Sequence, residues 1–208
     1  MRGRERVSTT DMEIKVVKGD EARAHIEALG RLRISVFREW PYLYDGNMAY
    51  ERDYLEAFVT SKDSVLVLAM DGGRVVGAST GLPLAAETPN IAGPVEAGGY
   101  DPERVFYFGE SVLEPAYRGQ GIGVAFFHYR EQHARQLDRF HWLAFCGVVR
   151  PEGHPLRPAD YVPLDRFWQK RGFGPTDLFA RIGWKDIDGA EETEKPLRFW
   201  IKSLDRGI

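Results

Sequence analysis

The residues best suited to chemistry lie at positions 117–123, which read Tyr-Arg-Gly-Gln-Gly-Ile-Gly. A strand-like run over 105–113 precedes them and a helical pattern over 119–138 follows. The first amides of a helix have no acceptor within the helix and lie at the positive end of its dipole, and glycines let a ligand approach them closely. A strand, a glycine-rich turn and a helix start in this order predict an anion site, most often for phosphate.

Two common phosphate-binding patterns do not fit this turn. The dinucleotide pattern G-x-G-x-x-G would need its last glycine at Val124 or at Phe126. The P-loop pattern would need Gly-Lys-Ser/Thr, which does not follow here.

The elements that must position the turn follow from periodicity and from turn residues. The predicted strands cover 13–18, 65–70, 74–79, 105–113, 140–149, 177–185 and 197–204, and the predicted helices cover 20–37, 47–58, 119–138 and 164–171. Gly30 is expected to interrupt the first helix. Long loops are predicted over 83–104 and 151–163, and an acidic turn over 186–194. This order predicts one mixed α/β domain over residues 12–208 with a central sheet.

Composition excludes several classes of protein. The 208 residues carry a net charge of -3, which excludes a dedicated basic nucleic-acid binder. Their one cysteine, Cys146, excludes an internal disulfide framework and a cysteine-rich metal site. The apolar runs are too short to span a membrane. No apolar stretch follows Arg2, Arg4 and Arg6, so residues 1–11 are predicted to form a flexible tail rather than a signal peptide, and the expected location is cytoplasmic.

Two segments carry a resemblance to a known family. Residues 112–123 resemble the signature of the GNAT family of N-acetyltransferases, in which Pro-x-Tyr-Arg leads to Arg/Gln-x-x-Gly-x-Gly/Ala, and Arg118, Gly121 and Gly123 match its core. Residues 167–173 are similar to the family's Phe-Tyr-x-Lys-x-Gly-Phe segment. The resemblance covers about residues 13–204. It implies a mixed, mostly antiparallel sheet flanked by helices.

The resemblance also implies binding of acetyl-CoA, or another acyl-CoA, as co-substrate, without a metal. The amides of 118–124 would hold the pyrophosphate, and the backbone of 111–113 would pair with the pantetheine arm as an added strand does. The implied binding residues are Ser111, Val112, Leu113, Arg118, Gly119, Gln120, Gly121, Ile122, Gly123, Val124, Phe167 and Lys170.

Acetyl transfer needs a base for the amine, a donor for the thioester oxygen and a proton for the leaving thiolate. The resemblance implies the Leu113 amide as the donor. Glu110 is the candidate base, because strict alternation places it on one face with Phe106, Phe108 and Val112, and family members often carry an acid on this strand. A bulge that exposes Glu110, or a structural ion pair, is the alternative.

The proton donor for the thiolate is the role for which this sequence departs from the family pattern. Many family members use the tyrosine of the Phe-Tyr pair, but Trp168 stands there, and an indole is not a usable acid. Tyr161 is the candidate instead, with water or a packing role for Tyr161 as the alternatives. The missing tyrosine also leaves open a non-catalytic acyl-CoA-binding domain of the same fold.

The expected acceptor is a primary amine on a small molecule or a protein, with no nucleic-acid or membrane partner, and a homodimer is as compatible with the sequence as a monomer. Residues 37–58 hold seven aromatics, and residues 38–56 hold five acids against two bases. By resemblance this window forms a wall of the acceptor channel, where rings and acids can attract a cation, with the acidic turn on the same side. The alternative is a pair of ordinary amphipathic helices.

Weaker patterns point elsewhere. Residues 77–81 fit the G-x-S-x-G nucleophile elbow, but no helix is expected after them. His128 and His133 are five residues apart, which places them on different sides of a helix and disfavours a metal site. His154 is a candidate contact for the acceptor.

Overall fold

This computed structural model of the protein describes residues 12–204, so the tail predicted for residues 1–11 lies outside the described residues. The strands are β1 Met12–Val17, β2 Val65–Asp71, β3 Arg74–Pro83, β4 Val105–Tyr107, β5 Ser111–Leu113, β6 Trp142–Val148, β7 Gly174–Lys185 and β8 Glu192–Ser203. The helices are α1 Gly19–Arg23, α2 Ile26–Phe37, α3 Met48–Thr60, α4 Pro89–Ala97, α5 Ile122–Gln136 and α6 Asp165–Gln169.

The strands form one sheet in the order β1-β2-β3-β4-β6-β8-β7, with β5 paired to β3. Only the pairing of β4 with β6 is parallel among these strands. The predicted mixed, mostly antiparallel sheet flanked by helices is therefore confirmed. No helix within residues 12–204 is long and apolar enough to cross a membrane.

Helices cover both faces of the sheet, which explains the uninterrupted apolar run in β2. Leu66 and Leu68 pack on one face with Leu29 of α2 and Leu55 of α3. The alternate residues of β2 pack on the other face with α5, as Val67 does. A strand buried on both faces loses the alternation of apolar and polar residues.

Several predicted boundaries were wrong, and three of them bear on the site. The 83–104 loop contains α4, which begins at Pro89, because proline is tolerated in the first turn of a helix. The 186–194 turn is shorter than predicted, since Lys185 pairs with Glu192 at the start of β8. The strand predicted over 105–113 is broken between Tyr107 and Ser111.

The sequence predicted an interruption of the first helix at Gly30, but Gly30 lies within α2. The predicted 20–37 helix is broken instead at residues 24–25, between α1 and α2. A Cβ on Gly30 would lie 2.9 Å from the Met48 Cε and 3.2 Å from the Glu51 Cβ. This glycine lets α2 and α3 approach closely, and the close approach brings Glu51 next to α2. The asparagine cap of α3 is confirmed, since the Asn47 side chain accepts from the Tyr50 amide at 3.0 Å.

Candidate functional site

A split in the centre of the sheet forms the base of the candidate site. β4 pairs with β6, and the Phe108 amide then donates to the Ala144 carbonyl at 2.8 Å. Beyond this bond β5 pairs with β3, whereas β6 continues along β8. Gly109 lies in the irregular stretch at the split. A Cβ there would lie 2.6 Å from the Thr80 Oγ1, so only glycine allows this close approach to Thr80.

The backbone of β5 directs hydrogen-bonding groups into this split. The Glu114 amide donates to the Val76 carbonyl at 3.0 Å. Hydrogen-bonded and non-hydrogen-bonded pairs alternate along an antiparallel ladder. The N–H and C=O groups of Ser111 and Leu113 therefore point away from β3 and towards the split.

The glycine-rich turn ends at the first residue of α5. Gly119 and Gly121 have φ angles of 78° and 85°, in the left-handed region that favours glycine. The amides of Val124 and Ala125 donate to the Gly121 carbonyl at 3.0 and 3.1 Å, as expected for the first bonds of a helix. The amides of residues 119–123 precede these bonds and lie where a helix has no internal acceptors. These amides lie where the sequence predicted an anion site, which stays a prediction.

One cleft of about 1470 Å³ joins the split and the turn. The predicted site residues that line it are Glu110, Ser111, Leu113, Arg118, Gly119, Gly121, Gly123, Val124, Tyr161 and Phe167. Four predicted binding residues, Val112, Gln120, Ile122 and Lys170, are not among its lining.

Each of these four side chains has a visible reason to lie away from the cleft. Val112 is fully buried in the core, and Ile122, the first residue of α5, packs in the core cluster that includes Val67 of β2. The Gln120 amide group donates to the Ala116 carbonyl at 3.0 Å. Lys170 is exposed, and its neighbour Arg171 lines the cleft instead. The Arg171 Cζ lies 3.4 Å from the centre of the Phe167 ring.

Arg118 connects the glycine-rich turn to the opposite side of the cleft. Its Nε donates to the Leu113 carbonyl at 3.2 Å, and its Nη2 donates to the Glu39 carboxylate at 2.9 Å. The side chain is half-exposed, so this pair contributes little to stability. Arg118 thus spans from β5 to the segment after α2 at the mouth of the cleft.

Glu110 is buried at the split, but on a different face from the one predicted. Phe106 and Phe108 pack on the α5 side of the sheet, and Val112 packs on the α2 and α3 side. The Glu110 carboxylate accepts from Arg33 of α2 and, at 3.5 Å, from the Tyr54 hydroxyl of α3. The irregular stretch therefore changes the face of the sheet, and strict alternation was the wrong assumption.

Arg33 binds a second carboxylate at the same time. Its Nε donates to the Glu51 carboxylate at 2.5 Å, while its Nη1 binds Glu110. The Arg33 Cζ also lies 4.4 Å from the centre of the Tyr54 ring. Sequence analysis did not identify Arg33 or Glu51 as site residues. Charged residues on the apolar faces of α2 and α3 were the available signal.

A second buried arginine, also not predicted, holds the backbone at the split. Arg130 of α5 donates from Nη1 to the carbonyls of Thr80 and Glu110, both at 3.1 Å, and from Nη2 to the Ser111 hydroxyl at 2.8 Å. Its Cζ lies 4.2 Å from the centre of the Phe108 ring. Burial lowers the pKa of Arg130 to about 9, so the guanidinium remains charged at neutral pH. Arg130 fixes the backbone from which the Glu110 side chain extends.

The far side of the cleft is aromatic. The Trp40 ring centre lies 5.1 Å from that of His154 and 5.9 Å from that of Tyr161. Burial raises the pKa of the Tyr161 hydroxyl. Trp168, at the position where the family carries tyrosine, packs 5.0 Å from the ring centres of both Phe145 and Trp200.

The acidic and aromatic window of the sequence contributes only part of this side. Three of its seven aromatics line the cleft, namely Phe37, Trp40 and Tyr42. Four of its five acids form ion pairs with bases, namely Glu39 with Arg118, Asp45 with Lys185, Glu51 with Arg33, and Glu56 with Arg23. The surplus of acids therefore balances structural bases instead of forming an open acidic wall.

A buried ion pair anchors this aromatic side. Arg150 donates from two nitrogens to the Asp186 carboxylate at 2.7 and 2.8 Å, and from Nε to the Pro41 carbonyl at 2.8 Å. Burial opposes ionisation of Asp186, but the hydrogen bonds and charges of Arg150 and Lys195 outweigh it and hold its pKa below the ordinary value. The pair fixes the segment carrying Trp40 against the sheet.

The weaker sequence patterns have structural explanations. Residues 77–81 lie within β3, so they do not form a nucleophile elbow. The buried His133 hydrogen bonds to the Asp63 carbonyl at 2.8 Å, whereas His128 is exposed. Burial raises the pKa of Cys146 to about 12. Within residues 12–204 no cluster of three or more His, Cys, Asp or Glu side chains could hold a metal ion.

Solved structures share this fold. An acetyltransferase from Streptococcus agalactiae is 20% identical, with a TM-score of 0.58, and the match covers 93% of this chain and 98% of that one. An aminoglycoside 6'-N-acetyltransferase complexed with coenzyme A is 14% identical, with a TM-score of 0.58 and coverage of 93% and 99%. The yncA protein of Salmonella typhimurium, solved with acetyl-CoA, is 14% identical, with a TM-score of 0.55 and coverage of 94% and 95%.

Sequence comparison adds a family and one short match. A curated 2,3-bisphosphoglycerate-independent phosphoglycerate mutase of Symbiobacterium thermophilum is 39% identical over 70 residues. Those residues are 33% of this chain and only 12% of the mutase, so its activity is not carried over. The model of the acetyltransferase (GNAT) family matches residues 31–158, more than half of the sequence. The chain therefore belongs to the GNAT family of acetyltransferases.

Proposed function

We propose that this protein transfers an acetyl group from acetyl-CoA directly to a primary amine. The observation that carries the proposal is the meeting of three features in one cleft. These are the free amides at the start of α5, the outward-facing backbone of β5 and the buried carboxylate of Glu110.

The cleft suits acetyl-CoA as co-substrate. The amides of residues 119–123 would bind its pyrophosphate, since free amides and the helix dipole both favour an anion. The N–H and C=O groups of Ser111 and the C=O group of Leu113 would pair with the amides of its pantetheine arm, as in β-strand addition, which leaves the Leu113 N–H for the thioester. Phe167 and Arg171 would flank the arm from α6 and its C-terminal end.

The chemistry assigns a role to each of three groups. Glu110 accepts a proton from the ammonium form of the acceptor, so that the neutral nitrogen can form a bond to the thioester carbonyl carbon. The Leu113 amide donates a hydrogen bond to the carbonyl oxygen as negative charge develops on it. When the carbonyl re-forms and the carbon–sulfur bond breaks, the Tyr161 hydroxyl gives its proton to the thiolate. The nitrogen of the new amide releases its surplus proton to solvent, from which Tyr161 regains one.

The acceptor would enter beside Trp40, His154 and Tyr161. Aromatic rings can hold a cation or an apolar body next to a reacting amine. An amine on a small molecule and an amine on a protein both fit this chemistry, and the aminoglycoside acetyltransferase among the structural neighbours is an example of the first kind. The acceptor panel below therefore contains both.

Calorimetry with acetyl-CoA tests the first step, and absence of binding at high micromolar concentration would refute the proposal. Release of CoA over a panel of small amines, N-terminal peptides and lysine peptides tests the second. Glu110→Gln is expected to lower kcat by about 100-fold or more while acetyl-CoA affinity stays within about twofold. Unchanged turnover would remove Glu110 from the mechanism.

A non-catalytic acyl-CoA-binding domain is the second candidate, because Trp168 replaces the tyrosine and packs into the core. Tight acetyl-CoA binding without CoA release over the whole panel would support this function. Steady CoA release would exclude it.

A further inference from the structure

Glu110 has an unusual neighbour for a residue that must accept a proton. Its Oε2 binds the Arg33 guanidinium, and an adjacent positive charge opposes protonation of a carboxylate. An arginine alone would therefore make Glu110 a poorer base. The structure supplies a second carboxylate on the same guanidinium.

Arg33, Glu51 and Glu110 form a buried three-membered charge cluster. The exposed fractions of their side chains are 10%, 0% and 4%. Both carboxylates bind Arg33 through Oε2, and both Oε1 atoms are buried without a hydrogen-bond partner within residues 12–204. Two carboxylates on one guanidinium leave one net negative charge, which a proton would neutralise.

The two free oxygens are not equivalent. Glu110 lines the cleft, whereas Glu51 is fully buried between α2 and α3. An amine in the cleft can thus approach the Glu110 carboxylate but not the Glu51 carboxylate. This asymmetry gives Glu51 an electrostatic role without contact with the substrate.

We propose that Arg33 and Glu51 are positioning residues for Glu110. The guanidinium holds the Glu110 carboxylate at the cleft through Oε2, and the Glu51 carboxylate offsets the guanidinium charge so that Glu110 can still take the proton. The proposal rests on the proposed role of Glu110 as the base.

The other groups around Glu110 do not replace Glu51 in this balance. The Tyr54 hydroxyl from α3 and the Tyr42 hydroxyl from the segment after α2 are neutral, since burial raises the pKa of each well above the ordinary value. Glu87, after β3, has a pKa raised by burial to about 7. Arg130, from α5, binds the Glu110 carbonyl and adds positive charge. Glu51 is thus the carboxylate that directly opposes Arg33.

The test compares two charge-removing variants that should act in opposite directions. The readout is the pH profile of kcat/KM with the best amine of the panel, which reports the essential base of the free enzyme. Glu51→Gln, which keeps the shape, is expected to lower the midpoint of the rise in kcat/KM with pH by about one pH unit. Arg33→Gln is expected to raise it by a similar amount. A purely structural role would not give opposite shifts.

A control variant and two outcomes that would overturn the inference complete the test. Glu27→Gln, on the exposed face of α2, is expected to leave the midpoint unchanged. A Glu51→Gln midpoint that stays or rises would overturn the inference. If Arg33→Gln does not fold, Arg33→Lys is the second variant. It keeps the charge but cannot bridge both carboxylates in the same way, so its kcat with the best amine of the panel should fall at least tenfold. Wild-type kcat in Arg33→Lys would also overturn it. Loss of turnover in Glu110→Gln alone would leave the proposed function standing.

Discussion

Arg33 and Glu110 lie 77 positions apart in the sequence and form an ion pair that is almost excluded from solvent. The pair joins α2 to the split in the sheet, so it couples the helical layer to the site. A buried charge that loses its partner keeps its desolvation penalty, which makes this contact costly to break.

Removal of the Arg33 side chain should therefore destabilise the fold strongly. Arg33→Ala is expected to lower the free energy of unfolding by about 3–5 kcal/mol, because two carboxylates lose their buried partner. Arg52→Ala is the control, since Arg52 pairs with Glu27 while their side chains are 54% and 48% exposed, and its cost should be about 0–1 kcal/mol. Urea unfolding at neutral pH measures both, and equal losses would contradict the prediction.

The glycine-rich turn allows a matched test of acetyl-CoA binding. Gly121 has φ 85° at the start of α5, and Gly73 has φ 84° in the turn between β2 and β3. A Cβ at either glycine would meet open space, so Gly121→Ala and Gly73→Ala should both cost about 1 kcal/mol through backbone strain alone. Only Gly121→Ala should weaken acetyl-CoA binding, by roughly tenfold, since it shifts the amides that would bind the pyrophosphate. Calorimetry that finds equal affinities in the two variants would argue against the anion site.

The raised pKa of Glu87 should make the free energy of unfolding depend on pH. Burial raises the pKa of Glu87 from 4.5 to about 7, with a further increase from the Glu110 charge. The folded protein holds this proton more tightly than the unfolded chain, so the contribution to stability is fully present below about pH 4.5 and is lost as pH rises through about 7. Glu87→Gln should remove this decline, which amounts to about 3 kcal/mol.

Urea unfolding across this pH interval measures the effect. Glu96→Gln on the exposed face of α4 is the matched control and should keep the wild-type dependence. A Glu87→Gln curve that is parallel to that of the wild type would show that Glu87 ionises normally in the folded protein.

Tyr161 can be tested as the acid by removal of one oxygen atom. Burial raises the pKa of Tyr161, so its hydroxyl stays protonated at neutral pH and can supply the thiolate. Tyr161→Phe keeps the ring next to Trp40 and should lower kcat by about 100-fold with little change in KM for the amine. Tyr50→Phe, on the exposed face of α3, should be silent. Steady-state kinetics that show normal kcat in Tyr161→Phe would leave proton donation to water.

The parts of the candidate site that are formed by residues close together in the sequence could be predicted from the sequence alone. β5, the glycine-rich turn and α5 over 111–136 are contiguous, and the direction of the amides in the turn depends on backbone conformation that glycines specify. Turn and cap residues likewise predicted the β2–β3 hairpin and the Asn47 cap. These signals act within a few residues, so no knowledge of the tertiary fold was needed.

The parts that were missed depend on contacts between distant segments. The face of Glu110 depends on an irregular stretch that Arg130 and Thr80 hold from other elements. The roles of Arg33 and Glu51 depend on the close approach of α2 and α3 at Gly30. A periodicity argument assumes regular backbone, and it fails where tertiary contacts break a strand.

The 151–163 loop is secured at both ends. Arg150 fastens its beginning to Asp186, and Trp168 of α6 fastens its end to the sheet through Trp200. A segment with two fixed ends can change its sequence without displacing the elements that it joins. If the proposed function holds, divergence or design can therefore change this one loop to recognise a different amine while the proposed acyl-donor site is kept.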